Sequence, residues 1–155
     1  MNDSRLPLCD PIFRRISRLV DAMGLRAYVV GGYVRDFYLG RPCTDIDVVV
    51  VGSGIAVAEA LAAELHTRVS VFKTFGTAML RAGGMEVEFV GARKESYSAD
   101  SRKPAVEEGS LADDQRRRDF TVNALAWSLN GDTFGELVDS FDGMHDLRER
   151  IIRTP

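Results

Sequence analysis

Asp45-Ile46-Asp47-Val48-Val49-Val50-Val51 is the stretch on which the reading of the fold turns. An apolar run this rich in valine reads as a strand covered on both faces. Its first residues carry the chemistry. Alternate side chains of a strand share a face, so Asp45 and Asp47 point one way while Ile46 points into the core. Two residues of strand rise separate their Cα atoms by roughly 6.6 Å. A carboxylate pair at that spacing can converge on divalent metal ions. Two such ions, about 3.5–4 Å apart, clamp the attacking and leaving oxygens of an in-line phosphoryl displacement.

The chain has 155 residues, enough for one domain with a proper core and too few for two. Its hydrophobic share of 45% and charged share of 28% are ordinary for a globular protein. A net charge of -3 exerts no general pull on nucleic acid, so an RNA substrate would need a local patch or another domain. Cys9 and Cys43 match no metal-ligand spacing and read as two free thiols. No apolar run approaches the ~20 residues of a membrane span. The charged start MNDSRLPLCDPIFRRISRLV lacks the clean apolar centre of a signal peptide. The expected location is cytoplasmic, with no membrane partner.

Working outward from the aspartates, Asp10-Pro11 opens a helix carrying Ile12, Phe13, Ile16, Leu19, Val20 and Met23 at helical spacing, with Gly24 as its stop. Ala27 to Val30 reads as a buried strand, Gly31-Gly32 as a turn, and Tyr33 to Leu39 as a helix closed by Gly40. Ser53 or Gly54 caps a helix over Ile55 to Leu65. Strands are predicted at Thr67 to Phe72, Thr77 to Arg81 and Met85 to Val90, the last two joined by a Gly83-Gly84 hairpin. Gly91 to Gly109 has no clear period and reads as a loop. Leu111 to Arg118 reads as helical, Asn130-Gly131 as a hairpin turn between Ala124 to Leu129 and Phe134 to Val138, and the end, Asp146 to Pro155, as a short charged helix followed by Ile151-Ile152 and an abrupt stop.

Other motifs add to the aspartates. In Met85-Glu86-Val87-Glu88-Phe89-Val90 the two glutamates share a strand face and offer a third carboxylate; parity leaves open which one. Oxygen ligands without His or Cys favour Mg²⁺ or Mn²⁺ over zinc. Gly31-Gly32 before a helix brings backbone N–H groups toward a phosphate, with Arg35 able to add charge-assisted bonds; taken alone, it reads as a plain turn with Arg35 and Asp36 a surface pair. Gly52-Ser53-Gly54 mimics a dinucleotide fingerprint. However, Val57 stands where a small residue is needed and no acidic residue ends the next strand, so a capped helix is the expectation. Arg116-Arg117-Arg118-Asp119-Phe120-Thr121-Val122-Asn123 reads equally as a solvated charge run or as partners for a triphosphate and ribose. His66 and His145 are isolated and are assigned no chemistry.

Four segments, GGYVRDFYLGRPCTDIDVVV (31–50), RKESYSADSRKPAVEEGSL (93–111), RRRDFTVNALA (116–126) and LVDSFDGMHDL (137–147), together resemble the head domain of the class II tRNA nucleotidyltransferase (CCA-adding enzyme) and bacterial poly(A) polymerase family. The ordered set spans nearly the whole chain. The resemblance implies an α/β (α+β) polymerase β-like nucleotidyltransferase fold, a mixed, mostly antiparallel sheet with helices mainly on one side. It implies that Asp45, Asp47 and Glu88 are the catalytic carboxylates holding Mg²⁺, with Mn²⁺ as a substitute. Gly31, Gly32 and Arg35 would face the incoming triphosphate, and Arg118, Asp119 and Asn123 the nucleotide and its ribose. Residues 93–109 correspond to the family's flexible head loop, and Asp139 to Leu147 closes the head.

The reaction implied is attack of a tRNA 3′-hydroxyl on the α-phosphate of CTP or ATP with release of pyrophosphate. On this reading residues 1–155 are the head, and the neck, body and tail that select the nucleotide and grip the tRNA are absent. The alternatives are a poly(A) polymerase head, one of a pair of enzymes adding C and A separately, or a nucleotide-binding fragment inactive on its own. A weaker one, a transferase acting on a small molecule or protein, is disfavoured by RRDFTVNA. Gln115 departs from the small or apolar residue familiar at its position.

Overall fold

The computed structural model describes residues 8–96 and 105–155. Helix α1 (Pro11–Met23) starts where expected: the Asp10 carboxylate accepts from the Ile12 N–H at 3.0 Å, and Gly24 ends the helix at φ 69°. Strand β1 (Arg26–Val30) leads through Gly31 into α2 (Gly32–Tyr38), and β2 (Asp45–Val51) leads into α3 (Gly54–Leu65). Then come β3 (Val69–Phe72), β4 (Thr77–Ala82) and β5 (Met85–Gly91). Strands β6 (Arg93–Ser96) and β7 (Ala105–Glu108) form a separate ribbon. Helix α4 (Leu111–Arg116), strands β8 (Ala126–Ser128) and β9 (Leu137–Val138), and α5 (Gly143–Glu149) complete the described chain.

The main sheet has seven strands in the order β3-β4-β5-β2-β1-β8-β9. Among the described residues only the central β2–β5 pair is parallel; α3 and the β3–β4 hairpin supply the crossover that parallel strands require. The sheet is therefore mixed and mostly antiparallel, as expected. Alternation along the strands divides its two faces. Ala27, Val29, Ile46, Val48, Val50, Ala78, Leu80, Val87 and Phe89 meet Phe13, Ile16 and Val20 of α1 and Val57 and Leu61 of α3 in the main core. The opposite face buries only a small cluster, Val30, Val49, Ala92, Leu111 and Ala126, and there the carboxylates emerge. Helices thus cover mainly one side.

Five expectations need correction in whole or in part. Asn130-Gly131 does lie in the turn of a hairpin, since β8 and β9 pair antiparallel and the Thr133 N–H donates to the Asn130 carbonyl at 3.1 Å. The strands are shorter than expected, however, β8 ending at Ser128 and β9 beginning at Leu137, and the Asn130 side chain does not serve the turn. The Asn130 side chain is instead a buried staple: it donates to the Leu25 carbonyl at 2.7 Å and to Asp21 at 3.0 Å, and accepts from the Ala27 N–H at 3.0 Å. Residues 91–109 are not all loop: β5 runs on to Gly91, and β6 pairs with β7 from Arg93 opposite Glu108 to Ser96 opposite Ala105; residues 97–104 lie outside the described residues. The last helix begins earlier than expected, at Gly143, and gives way before Ile151 as expected: it ends at Glu149, Arg150 turns left-handed at φ 57° and Thr121 donates its N–H to the Arg153 carbonyl at 2.8 Å. Helix α4 ends at Arg116, and β3 starts at Val69.

The Gly52-Ser53-Gly54 segment is a capped helix start, with the Ser53 hydroxyl accepting from the Ala56 N–H at 3.1 Å. Gly54 is there for close packing, since a Cβ would sit 2.9 Å from the Val90 carbonyl carbon. Cys9 and Cys43 are free thiols, and among the described residues no helix is long and apolar enough to cross a membrane.

Candidate active site

The parallel β2–β5 register sets Asp45 opposite Glu86 and Asp47 opposite Glu88, while antiparallel β1 sets Val30 opposite Asp47. Ile46 is 1% exposed, so the odd-numbered aspartates emerge on the thinly covered face as parity requires. Asp47 is half-buried; Asp45 and Glu88 are exposed. Burial raises the Asp47 carboxyl pKa above its ordinary value, and the nearby Asp45 and Asp114 charges add to this, while Arg118 opposes it. Burial, then the Asp47 and Glu86 charges, raises that of Glu88. Among the described residues no three His, Cys, Asp or Glu side chains already converge as a metal cage. The arrangement is a row of like-charged oxygen ligands.

The chain leaves β1 through Gly31 at φ 76° and ψ −135°, a backbone region essentially reserved for glycine. A Cβ on Gly31 would stand 3.3 Å from Arg118 Nη1, 3.7 Å from the Asn123 carbonyl oxygen and 3.8 Å from Asp47 Oδ2. One on Gly32 would stand 3.3 Å from Arg35 Nη2. Arg35 donates through Nη1 to Asn123 Oδ1 at 2.6 Å, and Asn123 donates through Nδ2 to Asp119 Oδ1 at 3.1 Å. That bond is the main cause of the lowered Asp119 pKa. The GGYVRD and RRRDFTVN segments, far apart in the chain, therefore meet beside Asp47. The structure brings Gly31, Gly32, Arg35, Asp47, Arg118, Asp119 and Asn123 together, with Asp45 and Glu88 on the same sheet face.

The sequence model of the poly A polymerase head domain matches residues 27–153. The chain belongs to this head domain family. It is 46% identical over 130 residues to the A-adding tRNA nucleotidyltransferase of Aquifex aeolicus, covering 84% of this chain and 16% of that protein. A solved tRNA-processing enzyme in an apo form superposes with a TM-score of 0.85 at 40% identity, covering 97% of this chain and 37% of that one. A tRNA nucleotidyltransferase solved with a primer tRNA and an incoming ATP analog superposes with a TM-score of 0.80 at 42% identity, covering 90% and 38%. The chain thus spans well under half the length of these relatives.

In this head domain family member Asp114 escaped the sequence reading, and Gln115 was noted as a departure but given no role. Asp114 is fully buried and takes Arg117 Nη2 at 2.9 Å and Arg118 Nε at 3.1 Å. Gln115 is also fully buried, donating to the Ala124 carbonyl at 2.7 Å and the Val138 carbonyl at 3.1 Å. It ties α4 to the end of the Asn123 turn and to β9. The signal was their place on α4: Leu111, Asp114 and Gln115 follow the i, i+3, i+4 spacing of one helix face. Beside Arg35 and Asn123 opens a cleft of about 850 Å³, walled by Leu39, Phe120, Val122, Leu147 and Ile152 and rimmed by Arg41 and Arg150. His66 ends α3, and the His145 ring lies 3.3 Å from Asp146; neither faces the carboxylate row.

Proposed function

We propose that this chain is the catalytic head of a tRNA nucleotidyltransferase, moving CMP or AMP from CTP or ATP to a tRNA 3′ end with release of pyrophosphate. The observation that carries this is the convergence on Gly31 of Arg118, Asn123 and Asp47. Charge-neutralising donors for a triphosphate stand there beside oxygen ligands for a metal. The names of the relatives, A-adding tRNA nucleotidyltransferase and CCA-adding enzyme, support the tRNA 3′ end as acceptor.

The donor set fits Mg²⁺, or Mn²⁺ in its place, on Asp45, Asp47 and Glu88. Such an ion is held by one or two carboxylates and completes its sphere with water and substrate phosphates, so no closed protein cage is needed. When bound, the metal lowers the pKa of the attacking hydroxyl and neutralises the phosphates. The chain's own residues position the reactants. Gly31 and Gly32 leave room for the triphosphate against the backbone, and Arg35 and Arg118 aim guanidinium nitrogens at its oxygens. Asn123 and Asp119, already hydrogen-bonded to each other, stand beside them as ribose partners. The cleft lined by Phe120, Val122 and Leu147 receives the base. Asp45, Asp47 and Glu88 make no covalent bond to substrate; the rate gain comes from orientation and charge.

The test is incorporation of labelled CTP or ATP into tRNA lacking its 3′ terminus. A alone, C followed by A, or a long A tract as product distinguishes A-adding, CCA-adding and poly(A) chemistry. Nucleotide binding without incorporation by the folded chain would mark it as a binding fragment.

A further inference from the structure

Arg35 and Arg118 are held in the same unusual way. Arg118 gives its Nε to the buried Asp114 at 3.1 Å, leaving Nη1 against Gly31. Arg35 gives its Nε to Asp36 at 3.0 Å, leaving Nη2 against Gly32. In each case a carboxylate grips the inner nitrogen and one terminal nitrogen stays turned toward the glycine turn. The other terminal nitrogen of Arg35, Nη1, donates to Asn123 Oδ1 at 2.6 Å, a second hold on that guanidinium. The supports are well shielded, with Asp114 0% exposed and Asp36 16%. Arg117 supplies a second cation to Asp114 at 2.9 Å, so the buried carboxylate remains neutralised when Arg118 turns its charge to a ligand. Asp36 is therefore more than a partner in a surface pair.

We infer that Asp114 and Asp36 are positioning residues: a matched pair of carboxylates that preorganise Arg118 and Arg35 as a two-armed clamp for the polyphosphate of the incoming nucleotide. The inference rests on the nucleotide reading above and adds what makes that site rigid. An arginine side chain has many rotamers, and immobilising it costs conformational entropy. Fixing it before the ligand arrives removes that cost from binding. Neither carboxylate touches the ligand; each acts through its arginine.

The experiment uses the whole chain with Mg²⁺·ATP and with inorganic tripolyphosphate as probes, and follows the arginine Nε–H signals by ¹⁵N NMR. In the wild type both Nε–H groups should exchange slowly without ligand. Asp114→Asn should release the Arg118 signal alone and weaken both probes by about tenfold. Asp36→Asn should do the same through Arg35 and, lying nearer the surface, keeps the test alive should Asp114→Asn fail to fold. Asp132→Asn, which breaks the exposed pair with Arg26 at 2.7 Å, should change neither reading. Wild-type affinity in both Asp114→Asn and Asp36→Asn, or freely exchanging Nε–H groups in the wild type, would overturn the clamp. A wild type with protected Nε–H groups that binds neither probe would overturn the nucleotide reading, and the clamp's purpose with it.

Discussion

Replacing Gly31 by alanine perturbs the point where the site's parts meet. At φ 76° and ψ −135° the backbone lies where side-chain-bearing residues are strained by about 1–3 kcal/mol. For a chain of this size that lowers the melting temperature by roughly 3–10 °C. The new methyl also stands 3.3 Å from Arg118 Nη1 and 3.8 Å from Asp47 Oδ2, so the guanidinium must shift by tenths of an ångström out of its place. Gly24→Ala is the matched control: its φ is 69°, its strain is roughly 1–2 kcal/mol, and nothing lies within 4 Å of the added methyl. Differential scanning calorimetry together with titration of Mg²⁺·ATP separates the two effects. Both variants should lose stability, and only Gly31→Ala should also lose nucleotide affinity. A Gly31→Ala chain that binds Mg²⁺·ATP like the wild type would refute the assignment of this turn to the triphosphate.

Three further outcomes follow from the geometry. The folded pKa values of Asp47 and Glu88 lie above their ordinary 3.8 and 4.5, so the folded state holds more protons in that window and metal-free stability falls as pH rises through it. Asp47→Asn should therefore raise the metal-free melting temperature at pH 7, with the gain vanishing below about pH 4, where both states are protonated; an unchanged melting temperature at pH 7 would contradict this. Asn130→Ala strands the buried Ala27 N–H and the Leu25 carbonyl and should cost about 2–4 kcal/mol in urea unfolding; Asn130→Asp, which turns an oxygen toward Asp21, should cost at least as much at neutral pH. Gly54→Ala drives a methyl to 2.9 Å from the Val90 backbone and should destabilise by about 1–3 kcal/mol, leaving Mg²⁺·ATP affinity unchanged because this turn is not a phosphate site.

How far the chain could be read follows from which physical rules are local. Strand parity is local, so Asp45 and Asp47 on one face and Ile46 in the core were legible from seven residues. Capping is local too, so the starts of α1 and α3 fell at Asp10 and Ser53 as expected. Parity is silent between Glu86 and Glu88, because both lie on the same face, and the register pairs Glu86 with Asp45 just as it pairs Glu88 with Asp47, so the choice of Glu88 rests on the resemblance. Long-range hydrogen bonds were invisible. Asn130 followed by Gly131 carries strong turn chemistry, yet its carboxamide is claimed by residues more than 100 positions away. The roles of Asp114 and Gln115 were hidden beside a run of arginines that reads as surface, although α4 turns both inward. The β6–β7 ribbon went unseen because its polar sequence shows no alternation that a core would impose.

Asp45, Asp47 and Glu88 on the open sheet face are the residues proposed to hold the metal beside the nucleotide. The most direct measurement is Mn²⁺ binding followed by electron paramagnetic resonance in the presence of ATP. Four chains are compared: wild type, Asp45→Asn/Asp47→Asn, Glu88→Gln and Glu86→Gln. The wild type should bind Mn²⁺ in an ATP-dependent way, the double aspartate variant should lose that binding, Glu88→Gln should weaken it and Glu86→Gln should leave it unchanged. Mn²⁺·ATP binding of wild-type strength by the Asp45→Asn/Asp47→Asn chain would contradict the metal assignment.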